Sequence, residues 1–148
     1  MERKEAKLNG NFVLDSSVVI KWFSQEADTE KALDLRNNFL NGKLEITVPD
    51  LQLYEIANAL RYNNKLTKSD VTLAVQSLID IGINIIIPTM DIIESAIELA
   101  FKLNISLYDA YFVALANELK FTLITADEKL YRNIKDLKFI KLLEDVYH

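Results

Sequence analysis

Short apolar runs and helical stretches alternate along the whole of this chain, and that alternation leaves few folds open. Phe12-Val13-Leu14 running into Asp15, then Leu44–Val48, Ile83–Ile87, Phe121–Thr125 and Leu137–Leu142, read as strands. Between them lie segments with apolar residues at helical spacing: a short one through Phe23, then Thr29–Leu40, Asp50 to about Asn63, Thr67–Ile81, Met90–Leu103, Leu107–Leu119 and Ala126–Asn133. Strands separated by helices do not close as hairpins. They pair in parallel, and each crossover lays a helix across a sheet face. The expected fold is α/β, a three-layer α/β/α sandwich around a central, mostly parallel sheet. Asn41-Gly42 and Gly82 supply helix stops, and Pro49 closes the second strand. Ile83-Asn84-Ile85-Ile86-Ile87, rich in β-branched residues, is of the kind buried on both faces and is expected at the centre of the sheet.

At 148 residues the chain is the size of one domain, assigned to residues 12–148 after a charged N-terminal extension over residues 1–11. The start, Met1-Glu2-Arg3-Lys4-Glu5-Ala6-Lys7, lacks the apolar stretch of a secretory signal, and a cytoplasmic location is expected. No apolar run approaches the roughly 18 residues of a membrane span. With no cysteine there is no thiol nucleophile and no thiolate metal site, and the one histidine is His148, so chemistry built on a histidine base is disfavoured. Water activated by a metal remains open. The net charge of −5 argues against broad, non-specific nucleic-acid binding. Four of those charges belong to the candidate ligands below, so the remaining surface is nearly neutral and leaves room for local basic patches.

Those candidates are Asp15, Glu55, Asp109 and Asp127. Asp15 ends one apolar run and Asp127 follows another, the positions that line the ligand crevice of a parallel α/β sheet. Glu55 and Asp109 project from intervening helices. Brought together without a cation, each pair repels by roughly 4 kcal/mol at about 4 Å and an effective dielectric of about 20. Taken singly, each has a plainer use. Asp15 fits a helix N-cap, Thr125 and Glu128 fit a capping box beside Asp127, Ser106 and Asp109 fit the same pattern, and Glu55 fits a solvated helix face. Asp109 resists that account most. Phe112, Val113 and Ala116, three, four and seven residues on, place it on a stripe that faces the core.

The surrounding residues resemble a known family. Val13-Leu14-Asp15-Ser16-Ser17-Val18-Val19-Ile20-Lys21-Trp22-Phe23 resembles the opening motif of the PIN-domain nucleases, and more narrowly of the VapC-type toxin ribonucleases of prokaryotic toxin–antitoxin pairs. Pro49-Asp50-Leu51 followed by Glu55-Ile56-Ala57-Asn58-Ala59-Leu60 resembles the second motif, Leu107–Ala116 the third, and Leu123-Ile124-Thr125-Ala126-Asp127 the fourth. The resemblance runs in order over about residues 12–145. It implies that Asp15 and Asp109 bind a metal directly, that Glu55 and Asp127 complete the acidic cluster, and that Ser17 helps order the site, with Thr125 as a further supporting residue. It also implies endonucleolytic RNA cleavage by water, a homodimer, and an antitoxin whose C-terminal segment covers the helices at about Asp50–Ile81 and sets an Arg or Lys against Asp15 or Asp109.

An all-oxygen ligand set selects Mg²⁺ or Mn²⁺. Lys129 and Arg132, one turn apart beside Asp127, are candidates for substrate phosphates, against the plainer reading of a solvated surface. Arg61, Lys65 and Lys68 stand in the same position. Tyr108, Tyr111 and Phe112 are read as core in preference to base-stacking. A phosphotransferase of the haloacid dehalogenase type needs a second Asp where Ser17 stands, and a receiver domain needs an Asp after the central strand where Pro88-Thr89 stands. The nearer alternatives keep the fold: a PIN ribonuclease of RNA processing or decay without an antitoxin, or a non-catalytic binding module.

Overall fold

The computed structural model describes residues 10–147; residues 1–9 of the N-terminal extension and His148 lie outside them. The five strands are β1 (Gly10–Leu14), β2 (Leu44–Pro49), β3 (Asn84–Ile86), β4 (Thr122–Thr125) and β5 (Ile140–Leu142). All their pairings are parallel, in the order β3-β2-β1-β4-β5. Alternation along β1 divides the core. Phe12 and Leu14 face a layer built from α1 (Ser16–Val19), α2 (Thr29–Leu40), α3 (Leu51–Arg61) and α4 (Lys68–Asp80). Val13 faces the opposite layer, α5 (Met90–Leu103), α6 (Leu107–Leu119) and α7 (Glu128–Ile134). The three-layer sandwich expected from the alternation is thus present. Among the described residues no single helix is long and apolar enough to cross a membrane.

Two helix ends show why the boundaries fall where they do. Gly82 takes φ +88° just past α4, a left-handed conformation that releases the chain into β3. Thr67 and Asp70 cap the start of α4 reciprocally, each side chain accepting the other's backbone N–H. In contrast, the box expected from Thr125 and Glu128 does not form. Asp127 is itself the N-cap of α7, its Oδ1 accepting the Leu130 N–H at 3.0 Å, so that helix starts at Glu128.

One expectation is overturned. The Ile83–Ile87 run is not central: β3 is a three-residue edge strand, Ile85 and Ile86 are partly buried, and Ile87 is 72% exposed. A short edge strand and a doubly buried one share the same β-branched composition, and here part of the apolar character belongs to an exposed surface. The helix that is enclosed is α6. Every residue from Ala110 to Ala116 is buried, because it lies on β1, β2 and β4 with α5 packed along it.

Candidate active site

In an open parallel sheet the crevice lies where successive crossovers depart to opposite sides. Here β1 leads to β2 and β3 on one side, and the chain then returns to place β4 on the other. The carboxyl ends of β1 and β4 therefore form that point, and they carry Asp15 and Asp127.

Asp15 follows β1 and caps α1. It accepts the Ser17 N–H at 3.1 Å and the Ser17 hydroxyl as well. Ser17 Oγ in turn accepts the Ala126 N–H at 2.8 Å and stands 3.3 Å from Thr125 Oγ1. Thr125 Oγ1 accepts the Asp127 N–H at 3.1 Å. One run of hydroxyls thereby ties the acid of β1 to the acid of β4. Thr125 is fully buried, and Ser17 is partly so.

Glu55 and Asp109 close in from the two helical layers. Glu55, half-buried on α3, accepts the Ser16 hydroxyl at 2.8 Å on Oε1, which joins α1 to α3. Asp109 lies in the first turn of α6, where its N–H is taken by the capping Ser106 hydroxyl at 3.1 Å. Behind the cluster, Gln52 is buried and donates Nε2 to the Leu14 carbonyl at 2.7 Å, fixing the end of β1 immediately before Asp15.

The electrostatics show that these acids feel one another. Burial pushes Asp15 up to about 7, against hydrogen bonds from Ser17 and Thr125, and the Asp109 charge adds to the rise. Burial raises Glu55, opposed by the Ser16 hydroxyl and again reinforced by Asp109. Asp109 is raised by burial, opposed by Ser106, with Asp127 adding to it. Asp109 is therefore the hub through which all four are linked. Among the described residues, ion pairs join Lys21 to Glu26 and Lys31 to Asp28, and neither touches the cluster.

A hard cation suits this donor set: it is all carboxylate, three of its members are partly or fully buried, and among the described residues it has no basic partner. Among the described residues no three such side chains already stand as a closed cage.

Residues 12–136 match the sequence model of the PIN domain. The chain belongs to the PIN-domain family. No curated protein sequence matches it. Among solved structures, a toxin–antitoxin complex from Klebsiella pneumoniae superposes on this PIN domain with a TM-score of 0.64 at 19% identity, covering 88% of this chain and 96% of that one. VapBC-1 from nontypeable Haemophilus influenzae gives 0.66 at 15% identity over 91% and 99% of the two chains. VapC20 from Mycobacterium tuberculosis, described as a sarcin–ricin loop cleaving toxin, gives 0.66 at 15% over 82% and 93%. At such identities the likeness is one of fold.

Other candidates stand apart from this geometry. Lys129 and Arg132 are exposed on α7, and no hydrogen bond or ion pair joins either of them to the four acids. Tyr111 and Phe112 are core, whereas Tyr108 is 61% exposed. Ser16 was legible only as part of the first motif, because a serine at a helix start gives no sign of which long-range acceptor it will meet. Ser16→Ala removes a hydrogen bond to a charged group, an interaction of about 1.5–3 kcal/mol. The expected result is a Glu55 titration moved to higher pH, read by carbon-detected NMR of the carboxyl, with cleavage about ten-fold slower. An unmoved Glu55 titration would show that Ser16 does not hold it.

Proposed function

We propose that this chain is a Mg²⁺- or Mn²⁺-dependent endoribonuclease, acting as the toxin of a toxin–antitoxin pair. The observation that carries the reading is the set of four carboxylates linked through Asp109 at the β1–β4 crevice, with no basic partner among the described residues. Asp15 and Asp109 would hold the metal, with Glu55 and Asp127 completing the shell directly or through water. When bound, such a cation lowers the pKa of a water and offsets charge on the phosphate oxygens. The protein's own share is positional. Ser17 and Thr125 lock the Asp15 rotamer, and Gln52 fixes the strand end beneath it. Ser16 aims Glu55 toward the cluster by donating its hydroxyl to Oε1.

The test is incubation of purified protein with RNA in Mg²⁺ or Mn²⁺, with EDTA and matched DNA alongside. Internal cleavage of RNA that stops on chelation is the expected result. Full activity in EDTA would dismiss the metal mechanism. Cleavage of DNA alone would dismiss the ribonuclease.

The toxin assignment is supported by toxin–antitoxin complexes among the structural neighbours. An antitoxin segment that places an Arg or Lys among these unpartnered acids would neutralise them with charge-assisted hydrogen bonds and exclude metal. Expression of the chain alone, then with a neighbouring small reading frame, should arrest growth and then relieve the arrest. Harmless overexpression would reassign it to RNA processing or decay. The proposed site is cytoplasmic, where RNA and such a partner meet.

A homodimer is the third part of the proposal. On α5, Met90, Ile97 and Phe101 are exposed apolar side chains at helical spacing, and the exposed Tyr54, Leu107 and Tyr108 line one apolar groove. Phe101 is 88% exposed, which a lone subunit has no use for. Phe101→Asp would bury two charges at a symmetric contact, and the dimer is expected to weaken by at least about 100-fold. Light scattering across micromolar concentrations checks it. A wild-type monomer at tens of micromolar would rule the dimer out.

A further inference from the structure

We propose that the cleft between α3 and α4 holds the single-stranded nucleic acid beside the scissile phosphate, an assignment that rests on the nuclease reading above. The cleft has a volume of about 530 Å³ and is lined by Ala57, Asn58, Arg61, Leu66, Lys68 and Val71, with further threonine hydroxyls. Two features suit a nucleotide strand: a cationic rim for phosphates and an apolar floor for a base or ribose face.

The charge is local and unspent. The chain carries a net −5, yet Arg61 and Lys68 both line this one cleft, with Lys65 in the turn between α3 and α4, and all three are exposed. Among the described residues none of the three takes part in an ion pair. The nearest acid on α4, Asp70, is turned back onto the Thr67 N–H as a helix cap. The Arg61 guanidinium lies over the Tyr62 ring, 5.3 Å from its centroid, and Tyr62 is 72% exposed. An exposed tyrosine with a guanidinium on one face leaves a ring edge and a cation together for a base and its phosphate.

Continuity with the acids decides the occupant. Asn58, which lines the cleft, stands three residues after Glu55 on the same face of α3, and Tyr62 caps the end of that helix four residues further on. Two helical turns place Tyr62 about 10 Å along the axis from Glu55. A strand whose phosphate sits at the carboxylates therefore runs along α3 into the cleft, and the cations offset the repulsion that the acidic cluster imposes on an incoming polyanion.

The experiment uses the full chain carrying Asp109→Asn, in Mg²⁺, with fluorescein-labelled single-stranded RNA twelve nucleotides long, followed by anisotropy over a salt series. Arg61→Gln with Lys68→Gln is expected to weaken binding at least ten-fold and reduce the log–log salt slope by about 1 to 2. Arg61→Lys with Lys68→Arg is expected to retain the slope, and melting curves of all variants to coincide. The same oligonucleotide as DNA should lose equally, which places the contacts on phosphates; loss on RNA alone would overturn the phosphate assignment. Unchanged affinity in the Gln variant, while the wild-type chain cleaves RNA, overturns the cleft and leaves the nuclease standing. Weakened affinity without any wild-type cleavage sinks the nuclease and supports the cleft. Undiminished RNA binding with loss of a co-expressed protein partner would assign the cleft to that partner and overturn the proposal.

Discussion

Asp109→Asn is expected to lower metal-dependent RNA cleavage by at least about 10³-fold, some 4 kcal/mol of transition-state stabilisation, while raising the melting temperature of the metal-free protein. The two effects share one cause. Asp109 is the acid whose charge presses on both Asp15 and Glu55, so an amide there relieves repulsion in the folded state and at the same time removes a proposed metal ligand. Its position in the first turn of α6 also tolerates an amide, because the Ser106 hydroxyl accepts the backbone N–H of residue 109 and an amide oxygen still accepts from that hydroxyl as the carboxylate does. Single-turnover cleavage and calorimetry in EDTA read the two outcomes on one sample. A variant that is both inactive and less stable without metal would mean that the acids do not strain one another, and the cluster would lose its electrostatic basis.

Stability without metal is expected to fall as pH rises, and saturating Mn²⁺ is expected to abolish most of that fall. Asp15 is held near 7 by burial against an ordinary value of 3.8. Between those values the folded state binds more protons than the unfolded one, so stability is greatest below the lower value and declines until the group is fully ionised above the upper one. Three units correspond to about 4 kcal/mol as an upper bound. Glu55 and Asp109 are raised as well and act in the same direction. A cation binds the ionised form, so its stabilisation should be largest at about pH 8 and smallest at about pH 5. Urea titrations at the two values with and without Mn²⁺ test this. A metal-free stability that climbs from about pH 5 to 8 would place Asp15 outside the buried cluster.

The layering of this fold could be read from local signals because its crossovers are short and its helix stops are explicit. Asn41-Gly42 and Gly82 end helices where the periodicity ends, and the chain that follows has no choice but to enter the sheet. Asp15 and Asp127 were legible as crevice residues for a similar reason: each immediately follows a strand. Lateral order was not legible. The Ile83–Ile87 run carries a composition that a central strand and an edge strand share, and only the pairing of β3 with β2 alone distinguishes them. The hydrogen bonds that make four acids into one site were also out of reach. Ser16 meets Glu55 across 39 residues and Ser17 meets Ala126 across 109, and no periodicity records a contact between two loops. Gln52 illustrates the same limit: its helical neighbours mark a buried face, but nothing in them marks the Leu14 carbonyl it holds.

The enclosure of α6 divides the site into parts with different lifetimes. Asp109 leads directly into the run Ala110–Ala116, buried on every side, so its backbone can be released only when the whole domain opens. Glu55 belongs to α3, whose companion α4 buries Leu78 alone. That outer helix can breathe while α3, which buries Gln52, Ile56 and Leu60, stays shut with the centre of the molecule. In hydrogen exchange, amides 110–116 would report global unfolding and those of α4 would exchange orders of magnitude sooner. The half of the site proposed to hold the metal would then act as a fixed anvil, and α4, proposed to meet an arriving strand, as a jaw on a separate clock.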